Sequence, residues 1–178
     1  MPTILRDLPF LPDQAKDVKF EGRSVAIKGD QIMVWIGITE GEQTEFDPHR
    51  PVFPAILDPG YSHDFSIRHE HLIQWAGLDP RWLEGGRDAR INKEVVPLYK
   101  ADVWLHPNVP GKRNRAAGGE PFRLPLDTGI AVYPPSMSTA PRLPLLGLRA
   151  LRLARLHLTI DCDRCSVTLR TPRRFWIF

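Results

Sequence analysis

The residues best suited to chemistry lie in Ile56-Leu57-Asp58-Pro59-Gly60-Tyr61-Ser62, where an acid ends an apolar run and a proline, a glycine and a serine follow. A single ionised carboxylate in water activates nothing. Two carboxyl groups held together behave differently: like charges disfavour double ionisation, so the pair shares one proton. One member then accepts a proton from water while the other donates to a substrate carbonyl. A chain of 178 residues can supply one aspartate and take the second from an identical copy across a twofold axis. The competing reading of Asp58-Pro59-Gly60 is a tight turn, since proline removes a backbone donor and glycine admits a bend.

A second acid stands in Asp127-Thr128-Gly129. It follows Pro121-Phe122-Arg123-Leu124-Pro125-Leu126, and this context predicts a hairpin turn in which the Asp127 carboxylate binds nearby backbone N–H groups. His69-Glu70-His71, with His63 and Asp64 close by, lacks the spacing that sets two histidines and an acid on one helical face. These histidines are expected on a helix surface or in hydrogen bonds. Cys162-Asp163-Arg164-Cys165 supplies half of a four-ligand zinc set. Its position in a strand turn predicts a reduced, structural pair. No metal or other cofactor is expected.

These residues need elements to position them. Eighteen prolines interrupt the chain too often for long helices, and 42% hydrophobic residues suffice for one sizeable core. Short strands with one or two short helices are therefore expected. Ser24–Ile27 and Gln31–Thr39 flank Gly29-Asp30 and read as a hairpin. Val52–Leu57 reads as a strand delivering Asp58, irregular or at an edge where Pro54 begins it. Ile67–Trp75 reads as a short helix. Val95–Leu98, Ala101–Leu105, Phe122–Leu126 and Ile130–Tyr133 read as extended. Asn108–Glu120, rich in glycine and basic residues, reads as a loop, either a mobile cover or a solvent-facing insertion. Finally, Leu143–Leu146 reaches Gly147, a short helix follows with Leu148, Leu151 and Leu156 inward and Arg149, Arg152 and Arg155 outward, and His157–Asp161 and Ser166–Leu169 close the chain.

The order of ILDPGYS, intervening strands, a long loop, PLLGLRAL and LHLTIDCDRCSVTLR resembles the retroviral-type, or retropepsin-like, aspartic proteases. The resemblance implies a closed β-barrel acid-protease fold over residues 24–170, preceded by an arm or cap (1–23) and followed by a tail (171–178). It implies that Asp58 is the catalytic aspartate, that Pro59, Gly60 and Ser62 support the active loop, and that Leu145, Leu146 and Gly147 cross it. It also implies a homodimer acting on a peptide or protein substrate, with a flap drawn from residues 108–120 or 85–94. Asp127, Thr128 and Gly129 have the better-looking triplet but leave too little chain before the crossing element. Pro59 stands where the family has a hydroxyl residue that braces the paired loops, and Ala150 follows Arg149 where the family often has a polar residue. The alternative is thus a catalytically impaired homodimeric peptide-binding module.

A formal charge of +3 is a mild excess. Neither Lys112-Arg113-Asn114-Arg115 nor Arg170–Arg174 has the aromatic interleaving of a nucleic-acid platform, and both read as solvated surface. Binding of an acidic polymer through Arg170, Arg173 and Arg174 is a weaker third reading. No apolar run is long enough to span a bilayer, so neither a membrane nor nucleic acid is expected as partner, and a cytoplasmic location is.

Overall fold

The computed structural model describes residues 2–172. Its largest element is a curled eight-stranded sheet built from β4 (Ile32–Glu40), β5 (Phe53–Asp58), β6 (Phe65–Arg68), β9 (Leu98–Tyr99), β10 (Ala101–His106), β11 (Phe122–Leu124), β12 (Ile130–Tyr133) and β13 (Leu145–Gly147), in the order β11-β10-β4-β5-β13-β6-β12-β9. A second sheet joins β1 (Thr3–Pro9), β15 (Ser166–Arg170) and β14 (His157–Asp161) in that order. Two separate hairpins pair β2 (Lys16–Phe20) with β3 (Arg23–Ile27) and β7 (Ala89–Ile91) with β8 (Glu94–Val96). The helices are α1 (His69–Ala76) and α2 (Leu148–Leu153), with one 3₁₀ turn at Pro80–Trp82.

The fold is mostly β, but the barrel ladder does not close: β9 and β11 remain edges. The outer side of β9 is taken instead by residues 84–86: the Gly86 N–H donates to the Leu98 carbonyl at 2.8 Å and the Lys100 N–H to the Glu84 carbonyl at 2.9 Å, so β9 does not pair with β11. The result is a half-barrel rather than the expected closed barrel.

One apolar cluster runs from Ile4, Leu5 and Leu8 through Ile36, Phe53 and Leu146 to Val167 and Leu169, and so fastens the terminal sheet to the large one. The opening residues, expected as an arm or cap, are accordingly β1 and β2, and Leu5 and Leu8 are each 1% exposed. The expected hairpin of residues 24–27 with 31–39 does not form. Glu21 and Gly22 take positive φ and turn β3 back on β2, while β4 pairs with β5 and β10. Pro54 is the second residue of β5, opposite Trp35, and the strand lies inside the sheet. The expected helix at 67–75 begins later: β-branched Ile67 pairs in β6 with Val132. Helix α1 ends at Gly77, whose φ of 67° supplies the left-handed C-cap.

Candidate functional site

Strand β5 carries Asp58 to the edge of a loop, residues 59–64, after which β6 returns. Between these two strands lies β13, parallel to β5 and antiparallel to β6. Its register sets Leu145 opposite Ile56, Leu146 opposite Leu57 and Gly147 opposite Asp58. The loop therefore arches over the end of β13. Gly147 is required by that arch: a Cβ there would lie 2.0 Å from the His63 carbonyl oxygen and 2.6 Å from that of Tyr61. Its N–H donates to the Asp64 carbonyl at 3.0 Å. Leu146 is fully buried, Leu145 half-buried, and α2 starts directly after Gly147.

Asp58 is half-buried, and its Oδ1 accepts the Gly60 N–H at 2.8 Å. Its carbonyl accepts the Tyr61 N–H at 3.1 Å. Both features of the stretch thus occur together: an acid at the end of a core strand, held in a turn that proline and glycine shape. Pro59, Gly60 and Ser62 are exposed. With Tyr61 they form one wall of a concavity of about 540 Å³, and Leu148, Arg149, Leu151, Arg152, Leu156 and Leu158 form the other. Leu148 is 41% exposed at this concavity, and Leu156 is half-buried, so of the three leucines expected inward only Leu151 is deeply buried.

Arg149 does not point away from the protein. Its Nε lies 3.2 Å from Asp64 Oδ1, and its Nη2 donates to Asp127 Oδ2 at 2.7 Å. The Asp64 contact is one of charge, since its angle falls short of a hydrogen bond. Asp64 has a fully covered side chain. Its Oδ2 accepts from Asp127 N at 3.1 Å, Thr128 N at 3.2 Å and Thr128 Oγ1 at 3.1 Å. The Asp127 carboxylate, expected to bind nearby backbone N–H groups, takes the Arg149 guanidinium, while the Asp127 and Thr128 N–H groups bind Asp64. Nor is Asp127-Thr128-Gly129 a hairpin turn: β11 pairs with β10, and β12 pairs with β6 and β9. Gly129, at φ 80°, passes so near Tyr99 that a Cβ would meet its carbonyl oxygen at 2.1 Å.

Sequence reasoning missed the Asp64–Arg149 pair and Tyr61. Asp64 precedes the apolar Phe65 directly, an uneconomical place for an unpartnered acid, and that was the available signal. Tyr61 hydrogen-bonds Ser66 through its hydroxyl, and burial pushes its phenol pKa up. Its ring packs against a second apolar cluster of Ile91, Val96, Leu98, Ala131, Tyr133 and Ala140. The acid loop is thereby joined to the β7–β8 hairpin, whose tip residues Asn92 and Lys93 have φ of 50° and 70°. The 108–120 loop, by contrast, is fastened down. Buried Asn108 exchanges hydrogen bonds with the Arg6 backbone and donates to the Val109 and Lys112 carbonyls, and Trp35 Nε1 donates to Arg113 O at 2.6 Å. The Arg113 guanidinium is enclosed and has no hydrogen-bond partner among the described residues, and burial lowers its pKa, so this basic group is not simply solvated surface.

His63 belongs to the acid loop, its ring centroid 5.6 Å from that of Tyr61, whereas His69 and His71 lie on α1. His71 stacks on Trp75 with centroids 3.7 Å apart, and His69 opens α1. Among the described residues no cluster of three or more metal-ligating side chains occurs. Cys162 and Cys165 are free thiols in the β14–β15 turn; Cys162 is exposed, so the pair is not a core element. Arg170 ends β15, whereas Arg173 and Arg174 lie outside the described residues. No described helix is long and apolar enough to cross a membrane.

No protein-family model, curated protein or solved structure matches this chain.

Proposed function

We propose that the protein is a retropepsin-like aspartic endopeptidase that works as a homodimer, each protomer contributing Asp58. The observation that carries this reading is the insertion of β13 between β5 and β6 with Gly147 opposite Asp58. Such a threaded loop holds a carboxylate on rigid strands rather than on a free turn, as a geometry-dependent acid–base pair demands. In the dimer the two Asp58 carboxyl groups share one proton. The ionised member takes a proton from water, which attacks the peptide carbonyl, while the protonated member donates to the carbonyl oxygen. The tetrahedral intermediate collapses as the leaving nitrogen is protonated, releasing an amine and a carboxylate. The β7–β8 hairpin, linked to the acid loop through Tyr61, is the segment proposed to cover the substrate.

A second reading has its own observation. Asp58 Oδ1 is already engaged by Gly60 N–H, and Pro59 offers neither hydroxyl nor N–H to brace a partner loop. A dimer that binds extended peptides without cleaving them fits that chemistry. The test is hydrolysis of a mixed peptide library by the full chain, alongside sedimentation of the wild type and Asp58→Asn. The protease reading expects a dimer in both and turnover in the wild type alone. Turnover that survives Asp58→Asn, or a monomer that cleaves, would overturn it, and peptide binding without turnover would establish the module.

A further inference from the structure

The turn joining β14 to β15 carries a pair of thiols for which the folded core has no use. Asp161 pairs with Ser166 as the last rung of the hairpin, leaving Cys162-Asp163-Arg164-Cys165 as its loop. The loop closes through Cys165 N–H to the Cys162 carbonyl at 3.3 Å, and the Cys165 Sγ lies 3.5 Å from that same oxygen. A four-residue turn of this kind brings its end Cα atoms within about 7 Å, near the upper limit of the span a disulfide bridges. Cys165 is held at φ 47°, and its carbonyl accepts the Phe10 N–H at 2.9 Å, so its backbone is anchored to the end of β1. Cys162 is exposed and Cys165 partly so. A metal would need further ligands, and no cluster of three or more His, Cys, Asp or Glu side chains includes these two among the described residues.

We propose that Cys162 and Cys165 form a reversible intramolecular disulfide, making this hairpin a redox-modified site. Its oxidant is a small-molecule disulfide of the glutathione class. The more accessible Cys162 thiolate attacks one sulfur of that disulfide, forming a mixed disulfide and releasing one small thiol. The Cys165 thiolate then attacks the Cys162 sulfur and releases the second small thiol. Two protein thiols are oxidised, and one small disulfide is reduced to two thiols. The staple closes the turn just beyond β14, the strand whose Leu158, near its far end, lines the concavity beside Pro59 and Gly60. The proposal does not depend on Asp58 being catalytic.

The full-length protein, equilibrated in buffers of graded oxidised-to-reduced glutathione ratio, would be trapped by alkylation and weighed intact. Expected is a single step from two alkylatable thiols to none with the loss of two hydrogens, reversed by dithiothreitol. The closed form should exceed the doubly glutathionylated form by at least ~10-fold, because the second thiol acts at high effective concentration. Cys162→Ser and Cys165→Ser should each accept one glutathione and never close. Two glutathione adducts on the wild type, a disulfide-linked dimer, or two thiols still alkylatable in the most oxidising buffer would overturn the proposal. So would protection of both thiols by added zinc under reducing conditions, which would assign the pair to metal.

Discussion

Replacing Gly147 by alanine tests the threaded loop directly. Gly147 has φ −93° and ψ 163°, which any residue adopts, so alanine incurs no left-handed backbone penalty. The cost must come from contact. The new Cβ would lie 2.0 Å from the His63 carbonyl oxygen and 2.6 Å from that of Tyr61. Attractive carbon contacts begin near ~3.5 Å, so loop and strand must part by roughly 1.5 Å. Overpacking of that kind costs about 1–3 kcal/mol, and losing the Gly147 N–H bond to Asp64 O adds about 1 kcal/mol. A total of roughly 2–4 kcal/mol should lower Tm by about 5–15 °C in a chain of this size. Gly147→Ser separates contact from capping: serine is a better N-cap for α2 than alanine, yet it carries the same Cβ and should remain destabilised. Gly85→Ala serves as control, because nothing lies within 4 Å of its Cβ position; it should stay within about 0.5 kcal/mol of wild type. Urea melts followed by circular dichroism give the free energies, and thermal melts give the Tm shift. A Gly147→Ala protein as stable as Gly85→Ala would refute the placement of β13 beneath the loop.

Three further outcomes follow from charges placed inside the fold. Arg149→Ala leaves the fully covered Asp64 side chain without its counter-charge and should cost about 2–3 kcal/mol in urea unfolding, the low end for a buried pair because Arg149 is partly exposed; Arg149→Lys should restore part of it, and an unchanged midpoint for the alanine variant would contradict the pairing. Burial lowers the His71 and His106 pKa values from 6.5 to about 4. The unfolded chain therefore takes up protons before the folded one, so stability present above about pH 6.5 declines toward pH ~4 and levels off below it. With partial solvent screening allowed for, each imidazole contributes on the order of 1–2 kcal/mol. His71→Phe should flatten roughly half of that slope in chemical melts, and an unaltered slope would exclude His71 as a source. Arg113→Met removes an enclosed guanidinium that has no hydrogen-bond partner among the described residues and should raise stability by about 1 kcal/mol; a loss on calorimetry would reveal a partner for that charge.

The local alphabet of the chain determined a good deal. Prolines and glycines marked the breaks, and apolar runs bounded by them correctly located β5, β10, β12, β13 and the β14–β15 pair, because strand formation there depends on residues close in sequence. The end of β5 at Asp58 and the start of α2 after Gly147 were legible for the same reason. Which strands become neighbours was decided by tertiary structure. Ser24–Ile27 and Gln31–Thr39 looked like a hairpin, yet β4 buries Met33 and Ile36 between β5 and β10 instead, since a nearly all-apolar strand gains more inside a sheet than at the edge of a two-stranded ribbon. The candidate site shows the same division. Asp58 and Gly60 could be named from residue type and spacing, and Gly147 from the family resemblance, whereas the meeting of Asp64 with Arg149 and with the Asp127–Thr128 backbone joins segments more than sixty residues apart. Only burial made that arrangement necessary: once Asp64 is covered, its carboxylate must find donors and a counter-charge wherever the fold brings them.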